Sequence, residues 1–188
     1  MTDKSTFPTK LLWVDLEMTG LDVDQDVIIE VAAEVTDFDF NVIARYEACV
    51  QHPRDVVVER LHANTWYNDF PANRDEFIDK LDAAVPSEQV EQELIALVKE
   101  HFGDEPAILA GNSIHNDRNF IKAGWPSLDG VLHYRMLDVS SLKIYMQGKH
   151  GIEFDKAKSH RALDDIHESI AELQYYLEWF KKDGSQDS

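Results

Sequence analysis

The sequence predicts an α/β fold, a mixed five-stranded sheet flanked by helices on both faces. Three observations carry this. Three β-type segments come first, close together. Helix–strand–helix units then alternate, which calls for a sheet covered by helices. The C-terminal part is a long amphipathic helix. No spacer or repeat interrupts the 188 residues, so a single domain over 1–188 is expected, with loose polar tails at about 1–8 and 183–188.

The elements follow in order. Lys10 to Glu17 alternates around β-type residues and reads as a strand. Val27 to Thr36 and Asn41 to Gln51 read as two more, joined at Asp37 to Phe40 like a hairpin. Asn73 to Leu81 reads as a short helix, with Asn73 as N-cap and Glu76 three residues on. Ser87 to Phe102 is a clearer helix, with Val90, Leu94, Leu97, Val98 and Phe102 on one face. Ala107 to Gly111 is a short buried strand, Ile114 to Ala123 a helix ended by Gly124, and His133 to Asp138 a fifth strand. The last helix runs from about Ser159 to Lys181, its stripe being Leu163, Ile166, Ile170, Leu173, Leu177 and Phe180.

Composition narrows the function. Acidic residues outnumber basic ones 36 to 18, a formal charge of −18. Proteins that grip long nucleic acid carry a basic footprint, because neutralising phosphates supplies much of the affinity. A nucleic-acid substrate here should therefore be short, or metal ions must supply the positive charge locally. Long duplex partners are not expected. The exception is Lys143 to Arg161, which adds Lys149, Lys156 and Lys158 against Glu153 and Asp155. No stretch approaches the ~20 apolar residues of a membrane span, and Leu11 to Val14 is too short for the core of a signal peptide. Cys49 is the only cysteine and reads as core filler; with no intrachain disulfide possible, a cytoplasmic location is expected.

Several acids stand on faces that should be apolar. Leu11, Trp13, Asp15 and Glu17 share one face of the first strand. Burying two neighbouring carboxylates is costly, and a divalent cation between them removes the cost. Alternatively the strand simply emerges into solvent at Asp15. Asp117 sits among Ile114, Phe120 and Ile121 on its helix, although it could cap a neighbouring loop. On the last helix, Asp165 lies roughly 100° from the centre of the apolar stripe and Asp164 roughly 160°, so Asp165 suits an inward role. His160 is placed at the same end, where it can also be a cap or a surface residue. Asp22-x-Asp24-x-Asp26 begins like a calcium loop, but Val27 and Ala33 stand where glycine and glutamate are needed, so it reads as a solvated turn.

Asp15-Leu16-Glu17-Met18-Thr19-Gly20-Leu21, Gly111-Asn112-Ser113-Ile114 with Asp117, Tyr134-Arg135 with Leu137-Asp138-Val139-Ser140, and His160-Arg161-Ala162 with Asp164-Asp165 stand in order. Together they resemble the motifs of the DEDDh exonucleases, and most closely the oligoribonuclease family among them, over nearly the whole chain. The resemblance implies a ribonuclease H-like fold, a homodimer, and stepwise 3′→5′ removal of nucleoside 5′-monophosphates from very short single-stranded RNA, dinucleotides above all. It implies two divalent ions, Mg²⁺ or Mn²⁺, held by Asp15, Glu17, Asp117 and Asp165, with His160 as general base. It further implies an apolar wedge at Leu21, an aromatic platform at Trp66, and a cap on the 5′-phosphate built from Ser113, Tyr134, Arg135 and Ser140, with Tyr134 reaching across from the partner subunit. Two other readings remain, a broader exonuclease acting on DNA or structured RNA 3′ ends, and a non-catalytic binding module on the same fold.

Overall fold

The computed structural model describes residues 7–155 and 161–183. The three early strands form as β1 (Lys10–Met18), β2 (Ile28–Asp37) and β3 (Val42–Gln51). Asp37 organises the β2–β3 turn, its Oδ1 accepting the N–H groups of Asp39 and Asn41, both at 2.9 Å. Next come helices α1 (Arg54–Ala63), α2 (Thr65–Asp69) and α3 (Pro71–Lys80), a single 3₁₀ turn, and β4 (Val85–Pro86). Helix α4 (Ser87–Phe102), strand β5 (Ala107–Gly111), helices α5 (His115–Gly124) and α6 (Pro126–Asp129), strand β6 (Leu132–Asp138) and helices α7 (Val139–His150) and α8 (Ala162–Asp183) complete the chain.

The sheet order is β4-β3-β2-β1-β5-β6. β1 runs antiparallel to β2 and β2 to β3, whereas β5, β6 and β4 pair in parallel with their neighbours. The sheet is mixed, as expected, but it has six strands instead of five. The sixth, Val85–Pro86, is too short to show a period in sequence, and its proline is tolerated because the strand lies at the sheet edge.

Helices cover both faces. Leu12, Val14, Leu16 and Val31 pack with Val90, Leu94 and Val98 of α4 and with Phe120, Ile121 and Trp125. Leu11, Trp13 and Ala32 pack on the other face with Val139 and Met146 of α7 and with α8. A smaller cluster joins Ile29 to Val57, Leu61, Tyr67 and Phe77 of α1–α3. It exists because the β1–β2 register slips between Glu17 and Met18, leaving Ile29 without a partner on β1.

Three further expectations are corrected. Helix α3 starts at Pro71 instead of Asn73, since proline suits the first helical turn; Phe70 occupies the N-cap position and makes no side-chain cap. Cys49 is half-buried, not core, with its Sγ 4.0 Å from Glu30. On α8 the buried apolar residues are Ala162, Ile166, Ile170, Leu173 and Tyr176, while Leu177 and Phe180 are each 38% exposed, because a stripe stepping by 3 and 4 drifts around a 3.6-residue helix. Within the basic stretch, Lys143 lies 3.8 Å from Glu172 and Arg161 is paired with Glu30 and Glu76; Lys156 and Lys158 lie outside the described residues. Helices α1, α2, α6 and α7 were not anticipated; the Val56-Val57-Val58 run in α1 favours a strand locally, and packing overrides it. Among the described residues no helix is long and apolar enough to cross a membrane.

Candidate active site

Strand β1 delivers Asp15 and Glu17 to the α8 side of the sheet, and the first turn of α8 delivers Asp165. A carboxylate oxygen of each lies within 4.8 Å of the other two. Asp165 is half-buried and Asp164 exposed, the orientation that helical geometry gave them. Burial, and then the charges of Asp165 and Glu30, push the Glu17 carboxyl up from 4.5 to about 8. Three converging carboxylates with one so displaced form a hard-oxygen donor set of the kind that can hold a divalent cation.

Asp117 reaches the same region from α5 but stands outside that group of three. It is buried, and its Oδ1 accepts the Leu16 backbone N–H at 3.0 Å. Burial pushes its carboxyl up to about 7 against the opposing pull of that hydrogen bond. His160, the expected base, lies outside the described residues.

A cleft of about 610 Å³ opens over the three acids. Its walls include Leu21 and Trp66, so the expected wedge and platform share one cavity with the carboxylates. Leu21 is 78% exposed at the tip of the turn after β1. The turn needs glycine at position 20, where a Cβ would fall 2.4 Å from the Asp26 carboxylate that braces it. Asp26 in turn accepts from the Thr19 hydroxyl at 2.7 Å and the Asp22 N–H at 3.0 Å, so the acidic run is a turn, as expected. Trp66 stacks on Phe70 with ring centroids 4.8 Å apart.

The remaining expected residues stand just before α5 (Ser113), on β6 (Tyr134, Arg135) and at the start of α7 (Ser140). Ser113 donates its N–H to Ser140 Oγ at 2.9 Å and to Asp138 Oδ1 at 3.0 Å. Tyr134 and Arg135 lie on the outer strand β6, exposed, with the Arg135 guanidinium 5.2 Å from the Tyr134 ring centre. None of these four lines the cleft. Sequence reasoning missed Asn64 and Tyr67, which do line it; the asparagine before Thr65-Trp66 was a readable N-cap signal. It also missed Glu30, which faces Glu17 across the β1–β2 pairing and accepts from Arg161 at 3.0 Å.

The family model described as Exonuclease (RNase_T) matches residues 12–173. The chain belongs to this exonuclease family. Its members are divalent-metal-dependent nucleases, which agrees with the acidic cluster. The exonuclease is 41% identical over 167 residues to the oligoribonuclease of Francisella tularensis subsp. novicida, covering 88% of this chain and 93% of that protein. It is 41% identical over 177 residues to the oligoribonuclease of Thiobacillus denitrificans, covering 92% and 96%. Among solved structures it resembles E. coli Exonuclease I in complex with a dT13 oligonucleotide, with a TM-score of 0.58 at 14% identity, over 96% of this chain and 43% of that one. Exonuclease I of Methylocaldum szegediense gives 0.54 at 20% identity, over 87% and 39%. The exonuclease spans less than half of those two chains, and the likeness to them is one of fold.

Proposed function

We propose that this exonuclease hydrolyses very short single-stranded RNA from the 3′ end, preferring dinucleotides and releasing nucleoside 5′-monophosphates, in the cytoplasm. The carrying observation is that one cleft of about 610 Å³ joins three converging carboxylates to Leu21 and Trp66. That volume lies in the range of small-molecule sites. An apolar wedge and an aromatic ring are the groups that hold unstacked bases.

Asp15, Glu17 and Asp165 would hold one divalent ion, and Asp117 together with Asp15 would serve a second. Bound there, such ions supply the charge that activates a water and stabilises the departing 3′ oxygen. His160, as neutral imidazole, accepts the proton of that water. Leu21 and Trp66 hold the two bases. Ser113, Arg135 and Ser140 grip the 5′-phosphate by charge-assisted hydrogen bonds and wall off a longer chain. Tyr134 joins them from the partner of a homodimer. Large apolar side chains left exposed on β6 and α7, Tyr134 at 71%, Ile144 at 71% and Tyr145 at 51%, support that assembly.

The test is hydrolysis of 5′-labelled RNAs of two and about twenty nucleotides with Mn²⁺, with Mg²⁺ and with chelator. Rapid metal-dependent loss of the dinucleotide alone is the expected result. Equal attack on the long RNA would favour the second reading, a broader exonuclease on DNA or structured RNA ends, to which the fold shared with Exonuclease I gives some support. The charge of −18 weighs against it.

A further inference from the structure

The two walls of the cleft come from different parts of the chain. Leu21 belongs to the turn after β1, and Trp66 to α2, 45 residues further on. One side chain ties them together. The amide nitrogen of Asn64 donates to the Thr19 carbonyl at 2.8 Å, two residues before Leu21. Its amide oxygen accepts the Trp66 backbone N–H at 3.0 Å, capping α2. The partners are a carbonyl and an N–H, so they fix the amide in one orientation; reversed, it would oppose acceptor to acceptor and donor to donor.

The backbone around Asn64 is held equally firmly. Its own N–H donates to the Arg60 carbonyl at 3.0 Å and closes α1. Asn64 is therefore the joint between α1 and α2, and its amide fastens that joint to the end of β1. The Thr19 carbonyl is available because the opposing Val27 N–H donates to the Thr19 hydroxyl instead, at 3.1 Å. A second tether runs alongside, the Tyr67 hydroxyl donating to the Met18 carbonyl at 2.9 Å.

We infer that Asn64 is a positioning residue that sets the distance between Leu21 and Trp66, and hence the fit of a substrate that occupies both base positions. This rests on the reading that Leu21 and Trp66 contact bases. Asn64 acts through those two residues and takes no part in bond breaking. Its effect should fall mainly on KM for a two-base substrate, and much less on a substrate with one base.

Asn64→Ser separates the two hydrogen bonds. Serine still caps a helix but is too short to reach Thr19 and adds no charge. Asn64→Asp keeps the shape and the cap and turns an oxygen toward the Thr19 carbonyl; it is read instead if the serine variant does not fold. The substrates are a ribodinucleotide and the nitrophenyl ester of a nucleoside 5′-monophosphate, with melting temperature recorded for each variant. Loss of one hydrogen bond of this kind corresponds to a rise of about five-fold in dinucleotide KM, with the smaller part of the loss in kcat and a much smaller change on the one-base ester. Leu21→Ala and Trp66→Ala are measured beside it. If both of these raise dinucleotide KM and a folded Asn64 variant does not, the positioning role is wrong. An equal loss on both substrates would likewise overturn it in favour of general structural damage. If Leu21→Ala and Trp66→Ala themselves leave KM unchanged, the base-contact reading falls and takes this inference with it.

Discussion

The carboxylate of Asp117 accepts the Leu16 backbone N–H at 3.0 Å, so an acid at the candidate metal site also finishes the hydrogen bonding of β1. Strand β5 pairs with β1 at Leu12 and Trp13 and ends at Gly111, so N–H groups further along β1 need another acceptor. The two roles separate by substitution. Asp117→Asn keeps an acceptor and should melt near the parent temperature while losing about 100-fold or more in turnover. Asp117→Ala also strands a buried N–H and should cost about 1–3 kcal/mol besides. Equal melting temperatures for the two variants would mean the Leu16 contact contributes nothing.

If Glu17 is a metal ligand, as proposed, it should set the pH dependence of metal binding. Its carboxyl is raised to about 8 by burial and by Asp165 and Glu30. Without metal, the folded state holds a proton that the unfolded chain releases above 4.5, so stability from this group is full below about pH 4.5 and lost as pH rises to about 8. A cation requires the carboxylate and must displace that proton. The rise in melting temperature caused by Mn²⁺ should therefore be larger at about pH 8 than at about pH 6. A shift of the same size at both would count against Glu17 as a ligand.

Arg161 compensates a buried charge. Glu30 is 8% exposed and accepts from Arg161 at 3.0 Å, with Lys80 at 3.9 Å. Its other oxygen, Oε2, is buried without a hydrogen-bond partner among the described residues. Arg161→Ala should cost about 1–3 kcal/mol, tempered by Lys80 and by the partial exposure of the pair. Adding Glu30→Gln should return part of that, since the uncompensated charge is gone. Denaturant unfolding of the single and double variants gives the cycle, and additive losses would refute the coupling.

His160→Ala tests the base. Turnover should fall by about 10²–10⁴-fold while the variant still binds metal and dinucleotide by calorimetry. Parent activity should also rise through the histidine titration range. Near-normal turnover at neutral pH would remove His160 from the role.

Tyr134 and Arg135 lie on the outer strand and do not line the cleft of their own chain. If a partner subunit places Tyr134 over the substrate, activity per chain should drop on dilution through the dimer dissociation range. Tyr134→Ala should reduce dinucleotide turnover even at high concentration. Specific activity that stays constant as sedimentation shows monomers appearing would exclude the shared site.

Much of the molecule was legible because the relevant periods are local. Alternation placed Asp15 and Glu17 on the face of Leu11 and Trp13, and helical spacing chose Asp165 over Asp164. The start of α4 at Ser87 and its end at Phe102 were likewise readable from one strong amphipathic face. Helices α1 and α2 were not, since Val56, Val57 and Val58 favour a strand locally and only packing around Tyr67 and Phe77 makes them helical.

By itself the sequence determined the chemistry: which acids depart from their apolar faces, in what order they occur, and that a charge of −18 leaves little surface for long nucleic acid. The tertiary structure decided distances between segments far apart in the chain. It brought Asp165 within 4.8 Å of Asp15 and Glu17, stood Asp117 apart against Leu16, and left Tyr134 and Arg135 outside the cleft. It also joined Thr19 to Trp66 through Asn64. The physical reason is that periodicity gives a side chain's direction within its own element, whereas the separation of two elements is set by the packing between them.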